Sequence, residues 1–162
     1  VIMKKIIALV AAALISVTAA FSAEHTFHLG LPIGYGTDAS EDDEGMQVGF
    51  HFNYTKVHEN RFTFKAQMFY GVANSIIDDK DPRFLFMGVG FGFSPIANEK
   101  MTLSLCGDAG LGGSFLTVGV DAMFTYRFNR HWGAFASLGA YTSNAPFVAT
   151  LGGAFTIHPR GE

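Results

Sequence analysis

Four charged residues, Lys65, Asp108, Asp121 and Arg127, stand inside segments that otherwise alternate bulky apolar side chains with small polar ones or glycine. Two cations and two carboxylates in such a setting can neutralise one another or line a path for an ion or proton. All four share the parity of the polar positions, so extended strands would direct them to one common interior. An unpaired charge there is costly, and cations should meet anions. The expectation is a salt-bridged, hydrogen-bonded network that fills this interior, with a gated ion or proton path as the alternative.

A second set with the same parity is apolar. Phe69, Phe84, Phe86, Phe115, Tyr141 and Val148 should face inward near the chain-loop end of the strands. They would make either an aromatic plug or a pocket for a small apolar ligand, since ligand sites are mostly apolar with a few polar groups. The plug is the expectation and binding or passage of small apolar molecules the alternative. A third set is acidic: Asp38, Glu41, Asp42, Asp43 and Glu44, then Asp78, Asp79 and Asp81. Their spacing fits no calcium-loop pattern, and runs of like charge are more often simply solvated, an adhesive surface being the alternative. The histidines His25, His28, His51 and His58 show no pairing on one face that would build a metal site. No phosphate loop, dinucleotide fingerprint or zinc-protease motif occurs, so neither a metal nor a cofactor is expected.

The elements that must hold these residues are strands. Period-2 alternation runs through 26–36, 46–55, 61–73, 83–94, 101–112, 115–128, 132–142 and 147–157, with the last two weaker. Apolar Phe27, Leu29, Leu31, Ile33 and Tyr35 alternate with Thr26, His28, Gly30, Pro32 and Gly34, and the other segments repeat the pattern. Such alternation marks strands with two unlike faces. Turns are expected at Val57–Asn60, Ile96–Lys100 and Asn129–His131, and longer acidic loops at Thr37–Gly45 and Asn74–Pro82.

Before the first strand the chain has another character. Met3-Lys4-Lys5 is a short basic stretch, Ile6 to Ala20 is apolar, and small residues around Ala20, Ser22 and Ala23 offer cleavage sites. Residues 1–22 are therefore expected to be a removed signal peptide, because the apolar run of about fifteen residues is short for a membrane span. The rest, roughly 140 residues, suffices for one domain at 23–158 with a short tail at 159–162. Without Lys4 and Lys5, nine basic residues face fourteen acidic ones, which argues against a nucleic-acid partner. The single cysteine, Cys106, excludes an internal disulfide and a cysteine zinc site.

Alternation alone fits an ordinary barrel, apolar inside, or a membrane barrel, apolar outside. The polar positions decide between them. They are Gly, Thr, Ser and Gln with few charges, whereas a water-facing surface wants roughly a quarter to a third charged residues. Phe27, Tyr54, Phe62, Phe93, Phe128, Trp132 and Phe155 also gather towards the strand ends nearest the termini, and Tyr35 and Tyr70 towards the others. Aromatic girdles of that kind sit at membrane interfaces. The expected fold is thus all-β, a transmembrane antiparallel up-and-down β-barrel of about eight strands.

On this strand pattern the chain resembles the small bacterial outer-membrane barrels: the OmpX-like proteins, the OmpA transmembrane domain and the OmpW-like proteins. Thr150, Gly152, Phe155 and Ile157 in the last segment are similar to the closing-strand motif read by the barrel-assembly machinery, with Ile157 in place of the usual aromatic. The resemblance implies export to the bacterial outer membrane, contact with its lipids and lipopolysaccharide, a monomer, and a surface-exposed structural or interaction role with a possible host or cell-surface partner. In that setting the loop acids could hold divalent cations against lipopolysaccharide phosphates. Ser143-Asn144-Ala145 is similar to part of the lipid A deacylase motif, but the family's histidine is replaced by Tyr141, which leaves the hydroxyl without a base. His131 and His158 do not restore the spacing, so no enzyme activity is expected, a lipid A-modifying enzyme being the lesser alternative.

Overall fold

The computed structural model describes residues 23–36, 45–73, 84–112, 115–142 and 147–158. They form eight strands: β1 (Ala23–Gly36), β2 (Gly45–His58), β3 (Phe62–Ala73), β4 (Phe84–Ala97), β5 (Met101–Gly112), β6 (Phe115–Arg127), β7 (Trp132–Tyr141) and β8 (Phe147–Ile157). Each strand pairs antiparallel with its neighbours in sequence, and β1 closes on β8 from His25↔Ile157 to Tyr35↔Phe147. Closure leaves no edge strand, so the ladders can satisfy the backbone without water.

The three turns at the termini end are built by asparagine. Asn98 Oδ1 accepts from the amides of Lys100 and Met101, and Asn129 Oδ1 accepts from those of His131 and Trp132, all at 2.8 to 2.9 Å. Asn60 Oδ1 accepts from the amide of Phe62 at 3.0 Å, while Arg61 takes a left-handed φ of 67°. Short polar side chains of this kind replace a backbone turn bond locally.

Two strands outrun their expected ends. β2 continues to His58 because Lys56, Val57 and His58 pair with His25, Glu24 and Ala23, so β1 also begins earlier than expected. β4 continues past Pro95 through a bulge that shifts the register between Phe93 and Ile96. Proline has no amide hydrogen to give the ladder, and a bulge is where a sheet tolerates it.

Burial follows the pleat in the inverted sense. On β5 the buried residues are Thr102, Ser104, Cys106 and Asp108, while Leu105 and Leu111 are exposed. Leu116, Leu151 and Leu111 keep 72%, 66% and 64% of their surface open, values that would be ruinous for a core and natural against lipid. At the termini end, outward rings meet as pairs: Phe27 with Tyr54 at 5.2 Å, Trp132 with Phe155 at 4.9 Å, and Tyr126 with Phe128 at 5.8 Å. Phe50 and Tyr70 pair at 5.9 Å nearer the other end. These are the girdles expected of a membrane barrel.

Candidate functional site: the filled lumen

Eight strands enclose a space just wide enough for side chains. Here the inward residues fall into three levels along the barrel, because neighbouring strands bring fixed positions to the same height.

At the middle level Lys65 of β3 donates from Nζ to Asp108 Oδ2 at 2.9 Å and to Asp121 Oδ1 at 2.5 Å. The Lys65 and Asp108 side chains have no solvent exposure and Asp121 almost none. Gly90, the register partner of Asp108 on β4, makes room for this group, since a side chain there would run into Asp108 Oδ1. The second oxygens, Asp108 Oδ1 and Asp121 Oδ2, are buried without a hydrogen-bond partner.

Arg127 does not join that group. It lies six residues from Asp121 along β6, roughly 20 Å at the rise of a strand. It closes the termini end instead. Its guanidinium pairs with Glu24, donates to Thr156 Oγ1 at 3.1 Å and Thr102 Oγ1 at 2.9 Å, and reaches the Asn98 carbonyl at 3.0 Å. Arg127 thereby ties β1, β5, β8 and the β4–β5 turn together. Beside it, Ser94 bonds both Thr63 at 2.6 Å and Ser104 at 2.8 Å.

Towards the loop end Phe69, Phe86, Tyr141 and Val148 form one buried cluster. Phe69 stacks on Phe86 with centroids 5.0 Å apart, and Tyr141 meets them at 5.2 and 5.3 Å. The Tyr141 ring lies over Gly119 and Gly139, where any side chain would occupy its place. Phe84 and Phe115 stand in β4 and β6, but their side chains lie outside the described residues. So do the acidic loop residues Asp42, Asp43, Glu44, Asp78, Asp79 and Asp81, and Ser143.

Several lumen residues carry more of the structure than the sequence reading allotted them. His51 joins Thr150 Oγ1 through Nδ1 at 2.9 Å and Gln67 Oε1 through Nε2 at 3.0 Å, and Gln67 Nε2 donates to the Tyr141 hydroxyl at 3.0 Å. This chain couples the aromatic level to the wall at β8. His28 bonds Thr125 Oγ1 at 3.0 Å, and Phe135 packs edge-on against His28 at 4.8 Å. Phe135 has inward parity with Tyr141 on β7, and that parity was the available clue. Glu24 shares the parity of Thr26 and His28; it escapes notice when the strand is started at residue 26. On β8, Thr150 and Gly152 have inward parity, whereas Phe155 and Ile157 lie on the outward face.

A closed eight-stranded barrel with an apolar outer belt and a polar, packed lumen has the fold of the small transmembrane β-barrels. Solved structures bear this out. Ail, the attachment invasion locus protein of Yersinia pestis, matches with a TM-score of 0.59 at 16% identity, over 85% of this chain and 100% of that one. OprG from Pseudomonas aeruginosa matches with a TM-score of 0.58 at 8% identity, over 86% and 98%. A de novo designed transmembrane β-barrel does nearly as well, with a TM-score of 0.57 at 14% identity over 85% and 97%. That a design without a biological role fits so well locates the likeness in the architecture. No protein-family model matches the chain, and no curated protein matches it.

Proposed function

We propose that this chain is a bacterial outer-membrane barrel protein, exported by a signal peptide at residues 1–22, which acts at the cell surface as a structural or interaction protein. In this reading the lumen does not conduct. The observation that carries this reading is the packed lumen: a buried salt-bridged group in the middle and a buried ring cluster above it. A barrel stoppered twice by its own side chains leaves its loop-side surface to do the work. The solved barrels with this fold include outer-membrane proteins from two bacteria, which supports the location.

The alternative, binding or passage of small apolar molecules at the aromatic mouth, needs rings that stand apart. Phe69, Phe86 and Tyr141 bury one another instead. The deciding measurement is conductance of the purified protein in planar bilayers. The filled lumen predicts no steady single-channel current, and large, stable openings would overturn it. Lipid A mass after expression tests the enzyme reading, with no change expected.

A further inference from the structure

The middle of the lumen does not balance its charges. One ammonium, Lys65 Nζ, faces two carboxylates, Asp108 and Asp121, and it bonds one oxygen of each. Asp108 Oδ1 and Asp121 Oδ2 are buried with nothing to accept from. The two bonded oxygens share a single nitrogen, so the carboxylates stand no further apart than its two hydrogen bonds allow. With both ionised, the group would hold a net negative charge between the ring cluster above and the Ser94–Thr63–Ser104 layer below.

Arg127, His28, His51, Tyr141 and Cys106 do not supply the missing charge by pairing with these carboxylates. Arg127 pairs with Glu24 at the termini end. His28 on β1 bonds Thr125; His51 on β2 lies between Thr150 and Gln67; and Tyr141 on β7 takes its hydrogen bond from Gln67. Cys106, next along the inner face of β5, is a free thiol. A buried charge without a partner is relieved most cheaply by neutralisation, and two carboxylates at one site do not both ionise readily.

We propose that Lys65, Asp108 and Asp121 form a proton-binding site at the centre of the lumen, in which one proton is held between the two aspartates. One proton on either aspartate leaves a single carboxylate against the single Lys65 ammonium, so the charge of the group closes to zero. No other atom is gained or lost. The proposal rests on the closed lumen argued above, since open water would solvate the carboxylates and remove the need.

The test is infrared spectroscopy of the folded protein in lipid at neutral pH, with and without carboxyl-labelled aspartate. The expected result is one band of a protonated carboxylic acid per barrel, shifted by the label. It should be lost in both Asp108→Asn and Asp121→Asn, because either leaves a one-to-one ion pair with Lys65. Lys65→Met should double the band. Absence of the band from labelled wild-type protein overturns the proposal, whether His51 or a bound cation then balances the charge. So does a band that survives both asparagine variants. The wild-type measurement is decisive even if a variant does not refold. Bilayer conductance keeps the two readings apart: steady currents with the band present sink the closed lumen, and a silent barrel without the band sinks only the proton site.

Discussion

The ammonium of Lys65 lies 2.9 Å from Asp108 Oδ2, reaching inside the lumen from β3 past β4 to β5, with both side chains wholly shielded from solvent. The pair is separated by 43 residues and by the whole of β4. It bridges the two strands that flank β4 at mid-height and, with Asp121 on β6, decides what the centre of this protein is.

Removing the cation alone takes the counter-charge from a buried aspartate pair. Lys65→Met should destabilise the barrel by about 3–5 kcal/mol, the usual cost of breaking a buried pair from one side. Replacing the group as a whole by Lys65→Met, Asp108→Leu and Asp121→Val should recover most of that loss. Denaturant unfolding in lipid, followed by the mobility difference between folded and unfolded forms, measures both. Equal destabilisation in the single and triple variants would count against the pairing.

The ring cluster makes its own prediction. Phe86 stacks on Phe69 and touches Tyr141, all three buried. Phe86→Ala should cost about 3–5 kcal/mol, through lost burial and the cavity left behind. Conductance should remain negligible, because the Lys65 level still blocks the lumen below. A steady current in this variant would show that the aromatic level is the only stopper.

Tyr141 occupies its place only because Gly119 and Gly139 leave it. Gly119→Val should expel the ring and break the Gln67–Tyr141 hydrogen bond. The near-ultraviolet circular dichroism of the tyrosine would change while the far-ultraviolet strand spectrum remains. An unaltered aromatic spectrum would place the ring elsewhere.

The outer face is tested at its middle. Leu151, paired with Leu31 on β1 and Ala136 on β7, is 66% exposed. Leu151→Arg should cost about 2–4 kcal/mol in lipid, as a cation does near the bilayer midplane. A soluble barrel would tolerate the same change, so a neutral result would refute membrane burial of this face. Trp132, exposed at the termini end, should in turn be quenched by lipids brominated near the headgroup more than by those brominated at the chain end.

Strand number, face parity and inversion were all legible in the sequence. Alternation in 101–112 or 115–128 is a local property, and it carries through because the pleat has a period of two residues whatever the strand packs against. The scarcity of charge on the polar face then settled which way the barrel faces. Boundaries were less legible. The alternation of 83–94 stops before Pro95, whereas β4 runs on through a bulge to Ala97, and Ala23–His25 joined β1 only because Lys56–His58 were there to pair with them.

Partnership was beyond the sequence's reach. Parity placed Lys65, Asp108, Asp121 and Arg127 on one inner face, but height along the barrel depends on how each strand is staggered against the next. That stagger brings Lys65 to the two aspartates and brings Glu24 to Arg127, residues 103 apart in the chain. The same registers bring His51, Gln67 and Tyr141 into one hydrogen-bonded chain and stack Phe69 on Phe86. The sequence by itself determined an inverted barrel with charge and rings inside. Only closure, which ties every register to the others around the ring, decided which charge meets which and left one oxygen of each aspartate buried without a donor.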